Sequence, residues 1–247
     1  MTNLGTVALK RTGESASTYN RWIYNQIKPF LGSKILEIGC GIGNITRLLS
    51  ENKFVVATDI NIDYLSYLEE ISEGWENRPK TVMLNIASSI SSELIGDQFD
   101  TIMCLNVLEH ILDDTTALRN MYQLLSPGGK LILLVPAGQY LYNKLDNALD
   151  HYRRYKKKEL TQKVIRSGFK LIKCSNFNLF GILGWWISGK IFKRDVVERS
   201  ELSLFNLFVP LFRRLEQVIP PIIGLSLICV AYRPNENIVG SESDPKS

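Results

Sequence analysis

Residues 34–44, KILEIGCGIGN, constrain the fold of this chain more than any other stretch. An apolar run ends at Glu37-Ile38, glycines follow at positions 39, 41 and 43, and a helical pattern begins. Glycine is needed where backbone comes close to something or takes positive φ. A strand running into a glycine turn and then a helix is the ligand-binding corner of a doubly wound α/β sheet. The helix N-terminus beyond the turn offers free N–H groups. A dinucleotide loop would read G-x-G-x-x-G/A. Counted from Gly39, its third small residue falls on Asn44. Glu37 would repel a diphosphate and suits a cationic ligand with an amino group. Twenty residues after Gly39, Asp59 closes the apolar run Phe54–Thr58, where a ribose-binding acid stands in such folds.

Glu37-Ile38-Gly39-Cys40-Gly41-Ile42-Gly43 resembles the first motif of the class I S-adenosylmethionine (SAM) dependent methyltransferases. Three later phrases carry the same resemblance. They are Phe99-Asp100 leading to Asn106-Val107-Leu108-Glu109-His110-Ile111, Leu125-Ser126-Pro127-Gly128-Gly129-Lys130, and His151-Tyr152-Arg153-Arg154-Tyr155 followed by Ser167-Gly168-Phe169. The resemblance covers roughly residues 19–175 and the apolar run 224–232. It is nearest the small-molecule branch that includes quinone-biosynthesis O-methyltransferases. From Asp146 through the Trp-rich stretch the chain looks like bacterial or archaeal methyltransferases found with surface-glycan and lipid-linked sugar enzymes.

The resemblance implies a Rossmann-like α/β fold. Its seven-stranded sheet has the order 3-2-1-4-5-7-6, strand seven antiparallel, with helices on both faces. It implies SAM as cofactor, S-adenosyl-L-homocysteine as product, and no metal. Implied cofactor contacts are Glu37, Gly39, Cys40, Gly41, Asn44, Asp59, Ile60, Asn85, Ile86, Asn106 and Val107. Glu37 would hold the methionine amino group, Asp59 the ribose hydroxyls, and Ile60 would flank the adenine. Asn85 departs from the family, which usually carries an acid there, but its oxygen can still accept a hydrogen bond.

The rest of the chain fits one such domain. Residues 18–30 read as a helix by the spacing of Tyr19, Trp22, Ile23 and Ile27,. Strands are expected at 34–38, 54–58, 81–84, 99–105, 130–135, 170–176 and 224–232, with Ser126–Gly129 as a turn and helices over 44–52 and 62–72,. The organisation is a segment and capping helix over 1–31, a catalytic domain over 32–234 and a disordered tail over 235–247. Net charge is +4 and no dense basic face appears, so no nucleic-acid partner is expected,. Cys40, Cys104, Cys174 and Cys229 form no C-x-x-C, which argues against zinc and for reduced, buried thiols,. The N-terminal seventeen residues lack an apolar h-region, and no apolar run is long enough to span a bilayer,. A cytoplasmic location is therefore expected.

The acceptor is less legible. The chain has two histidines, His110 and His151. His151 is the better candidate for a base, because the resembled family places it over the acceptor pocket. Tyr19, Tyr140, Tyr152, Arg153 and Trp185 are the candidate acceptor contacts. An insertion over 177–223 separates the last two strands. Its 178–192 half is apolar on nearly all sides, and a second helix over 202–219 is broken by Pro210. Lys190, Lys193, Arg194, Arg213 and Arg214 flank these faces. The insertion reads as a lid over the acceptor, or as a peripheral membrane contact through 177–219. The expected activity is methyl transfer to a small-molecule, lipid-linked or glycan acceptor, on oxygen. A SAM-binding scaffold without turnover and an NAD-linked Rossmann enzyme are the rival readings.

Overall fold

The computed structural model describes residues 17–51, 53–88, 94, 98–191 and 199–235. The strands are β1 (Lys34–Ile38), β2 (Phe54–Asp59), β3 (Lys80–Met83), β4 (Phe99–Leu105), β5 (Leu125–Pro136), β6 (Lys170–Phe177) and β7 (Ser226–Tyr232). They form one sheet in the order β3-β2-β1-β4-β5-β7-β6. β1 pairs parallel with β2 and β4, and β7 lies antiparallel between β5 and β6. This is the topology that the resemblance implied.

Strand patterning explains the layers. Successive residues point to opposite faces. Leu36, Ile38, Ile102, Cys104, Leu131 and Leu133 pack on one side, against α4 (Asp114–Leu124) and α6 (Lys157–Arg166). Ile35, Val55, Met103, Ile132 and Leu134 pack on the other, against α1 (Ser17–Ile27) and α3 (Ile62–Ile71). With both faces covered, the central strands read as unbroken apolar runs. All four cysteines are buried and free.

Several boundaries differ from the sequence reading. Pro29 ends α1 early, and Lys28–Phe30 form a 3-10 turn,. The helix after the glycine turn, α2, covers only Thr46–Ser50. Ser126–Gly129 is not a free turn, because β5 already begins at Leu125. Leu125 pairs with Phe99, the register shifts, and Lys130 pairs with Thr101. Gly128 N donates to Arg233 O and Arg233 N to Gly129 O, which ties this bulged stretch down. His110 sits on a 3-10 turn, Leu108–His110, and α4 begins later, capped by Asp113. In the insertion, α7 (Gly181–Trp186) runs into a π-turn (Ile187–Ile191). Helix α8 (Arg199–Val218) then passes through Pro210 unbroken. Pro210 is exposed, so the hydrogen bond it removes faces solvent,. Lys193, Arg194 and all of the expected tail except Asn235 fall outside the described residues. No described helix is long and apolar enough to cross a membrane.

Asp100 stitches the start of β1 to β4. Its Oδ2 accepts Ser33 N at 2.7 Å and Lys34 N at 2.9 Å. Asp100→Ala removes a charged acceptor from two backbone donors and should cost about 1–2 kcal/mol in urea unfolding. A change below about 0.5 kcal/mol would show that water replaces the carboxylate there at no cost.

Candidate functional site

The glycine corner is built by backbone. Gly39, Gly41 and Gly43 have φ of +72°, +54° and +85°. A Cβ at Gly39 would stand 2.2 Å from Val107 Cγ2, so only glycine lets the exit of β4 lie on the loop,. Cys40 N donates to Thr58 O at 2.8 Å, and Gly41 N to Asp59 Oδ2 at 2.9 Å. Asp59 Oδ1 accepts Asn61 N at 2.9 Å. A carboxylate can accept about four hydrogen bonds, so lone pairs remain for a ribose.

Glu37 and Asp59 are both buried, each 4% exposed. Glu37 Oε2 accepts Thr46 Oγ1 at 2.6 Å. Burial pushes the Glu37 carboxyl up to about 8, against the Thr46 hydrogen bond and with help from the Asp59 charge. Burial raises Asp59 too, against hydrogen bonds from Asn61, Gly41 and Ile60. Two acids in one dry corner call for positive charge, which suits a ligand carrying an ammonium or sulfonium.

The other expected cofactor contacts surround this corner. Ile60 is exposed beside Asp59, and Met83 stands exposed opposite Asp59 in the register. Asn85 is exposed, and its Oδ1 accepts Ala87 N at 3.0 Å. The side chains of Ile86 and Cys40 lie in the core, so only their backbone faces the corner. Asn44 is half-buried at the start of α2. Asn106 holds a left-handed φ of +54° at the end of β4. Asparagine tolerates that region better than other side chains do.

Beyond Val107 the chain turns directly into a polar cluster. Glu109, His110 and His151 gather there, and Tyr152 N donates to Glu109 O at 2.9 Å, docking the His151 loop on the turn. His151 Nδ1 lies 2.9 Å from Asp146 Oδ1. Arg154 Nε donates to the same oxygen at 2.7 Å, and Asn143 N to Asp146 Oδ2 at 3.0 Å. Asp146 sits on the short helix α5 (Lys144–Ala148), with Asn143 as its N-cap in a capping box,. Burial opposes the Asp146 charge, but the His151 hydrogen bond and the Arg154 charge win and hold its carboxyl below the usual range.

Glu109 is the opposite case. It is fully buried, and neither carboxylate oxygen has a hydrogen-bond partner. Burial pushes it up to about 7, against the nearby charges of His151 and Arg154. Its Oε1 is 3.9 Å from His151 Nε2. The His110 and His151 rings meet edge to face, centroids 4.7 Å apart. Burial, then the His151 charge, lowers His110 to about 4. Glu109, His110 and His151 offer ligand atoms within 4.8 Å of one another, the grouping among the described residues that could hold a metal ion. The 3.9 Å Glu109–His151 spacing exceeds the ~3.4 Å edge expected for ligands at tetrahedral bond lengths,.

The expected acceptor contacts divide. Tyr140 and Tyr152 are exposed. Trp185 lies under the Arg154 guanidinium at 4.7 Å, its indole N–H buried without an acceptor. Arg153 is committed elsewhere, to Asp114 Oδ2 at 3.0 Å and Leu112 O at 2.8 Å. The Tyr19 ring joins Trp22, Phe177 and Phe205, and its hydroxyl meets Asn178, which places it in packing rather than in an open pocket. Burial pushes the Tyr19 phenol up to about 12. Sequence reasoning missed Asp146, Arg154 and Glu109 as members of the site. The five-residue spacing of Asp146 and His151 around a helix cap was the available signal.

The family described as "Methyltransferase domain" matches residues 16–173. Phosphoethanolamine N-methyltransferase 1 of Triticum aestivum is 31% identical over 104 residues, covering 41% of this chain and 20% of that protein. The match thus spans about a fifth of that relative's length. A ubiquinone biosynthesis O-methyltransferase of Coxiella burnetii is 25% identical over 169 residues, covering 62% of this chain and 69% of its own. Magnesium protoporphyrin IX methyltransferase from Synechocystis, solved with bound S-adenosylhomocysteine, shares the fold. Its TM-score is 0.56 at 14% identity, covering 90% of this chain and 84% of that one.

The raised Glu37 carboxyl gives a test. Below pH 8 it carries a proton that an ammonium ligand must displace. SAM affinity should therefore rise by up to about tenfold per pH unit from pH 6 towards 8, then level off. Calorimetry at pH 7 in buffers of different ionisation enthalpy should read close to one proton released, and Glu37→Gln should abolish the release. Affinity independent of pH across that window would contradict the assignment.

Proposed function

This chain belongs to the methyltransferase-domain family, the SAM-dependent enzymes, and from that premise we propose that it methylates an oxygen of a small-molecule, lipid-linked or glycan-linked acceptor with His151 as the base. The observation that carries this reading is the Asp146–His151 hydrogen bond at 2.9 Å, in a cluster reached directly from the Val107 contact with Gly39. SAM supplies a methyl group on a sulfonium, which leaves as a neutral thioether.

The chain's own groups do the rest. Asp146 accepts from Nδ1, which fixes the tautomer and leaves Nε2 to take the acceptor's proton,. The imidazolium so formed stands between Asp146 and Glu109. Arg154 keeps Asp146 ionised and aimed. Burial of Glu37 and Asp59 keeps the donor end dry, so alignment supplies much of the rate,.

His151→Ala should lower turnover by at least about a hundredfold while SAM affinity stays within about twofold. Asp146→Asn should lower turnover through the wrong tautomer and shift the acid limb of the pH–rate profile. Turnover unchanged in His151→Ala would remove His151 from the role of base.

A further inference from the structure

The α8 helix presents two apolar faces, and the core uses only one. Phe205 meets Tyr19 edge to face at 6.0 Å, and Phe212 stacks on Phe180 at 4.3 Å. Val209 is buried between them in sequence. Glu216 turns inward, accepting Asn178 N at 3.1 Å and Leu179 N at 2.7 Å. These contacts fix the roll of the helix. Leu204, Leu207, Leu211, Leu215 and Val218 then line a second face at helical spacing, every one exposed and Val218 80% so,. Phe208 and Ile219 extend the stripe, and Ile222 beyond it is 91% exposed.

We propose that this outer face of α8, with the loop Ile219–Ile223, docks on an anionic lipid bilayer. Three features select that occupant. From Leu204 to Ile223 the charged residues are Arg213, Arg214 and Glu216. The acid is taken inward and Arg213 falls on the far side of the helix from the stripe, while Arg214, three residues after Leu211 and four before Val218, stands beside it, so the charge next to the stripe is basic, as an anionic surface requires,. The stripe offers no hydrogen-bonding side chain over ~22 Å of helix, where a protein partner would need about one hydrogen bond per 100–200 Å². Its far end is Ile219-Pro220-Pro221-Ile222-Ile223, an apolar projection whose prolines have no N–H to desolvate,. An apolar face with a basic rim on a helix that does not span is the form of an interfacial element,.

The same insertion reaches the polar cluster. Asn143, the cap of the helix carrying Asp146, donates through Nδ2 to Trp185 O at 3.5 Å. Trp185 stacks on Arg154, which holds Asp146. Docking itself does not rest on the proposed function.

Flotation with phosphatidylcholine vesicles, alone or mixed with phosphatidylglycerol, tests the proposal on the full chain. The protein should float with the mixed vesicles and stay behind with the neutral ones. Leu211→Glu with Leu215→Glu should weaken binding at least about tenfold at every salt concentration. Arg213→Ala with Arg214→Ala should weaken it about tenfold at low salt and little at high salt. SAM affinity close to wild type in both double variants confirms folding. Wild-type protein that stays behind with both vesicles overturns the proposal. So does a dimer in light scattering that the leucine variant dissociates without any vesicle binding, because a second copy would then own the face. Methyl transfer to a soluble acceptor is read separately, so loss of docking and loss of activity are distinguishable.

Discussion

The contact of Val107 with Gly39 holds the two halves of the site together. It joins the exit of β1 to the exit of β4 at a distance no side chain at position 39 would permit. Everything on the cofactor side follows from the first strand: the three left-handed glycines, the Gly41 hydrogen bond to Asp59, and Glu37 beneath them. The polar cluster follows from the fourth, through the turn carrying Glu109 and His110 and the His151 loop docked on it. Separating Val107 from Gly39 would uncouple the two.

Buried carboxyls show which parts of the site are complete and which await a partner. Asp146 has His151, Arg154 and a backbone N–H, and stays ionised in the interior. Glu37, Asp59 and Glu109 are pushed the other way by burial. A buried polar group left without a partner costs about 1–3 kcal/mol, and Glu109 has none on either oxygen. Such costs are tolerated where a ligand or a transferred proton supplies the missing partner. The two ends of the site therefore differ in kind. One holds two buried acids without a cation, and the other a buried acid without a hydrogen-bond partner.

Much of the fold was legible: alternating apolar runs and helices imply a parallel sheet, the glycine corner declares itself by spacing, and the strand order with its antiparallel seventh strand came from the family resemblance. The misreadings have local causes. Pro210 looks like a break in the sequence, yet it faces solvent and α8 continues through it. Ser126–Gly129 has turn composition, yet pairing with β4 and Arg233 draws it into β5. Arg153 and Arg154 are indistinguishable by composition, but one anchors to Asp114 and the other orients Asp146. The His151 network depends on where side chains meet across a loop and a capped helix, and periodicity does not carry that information.

The central claim is that this corner presents a methyl donor to an acceptor that the His151 cluster deprotonates. The direct measurement is transfer of radiolabelled methyl from SAM by the purified protein to separated lipids, glycans and small metabolites of the source cell. Label should enter at least one fraction and sit there in a methyl ether or methyl ester. SAM bound with no label in any fraction would contradict the account and leave a SAM-binding protein without turnover.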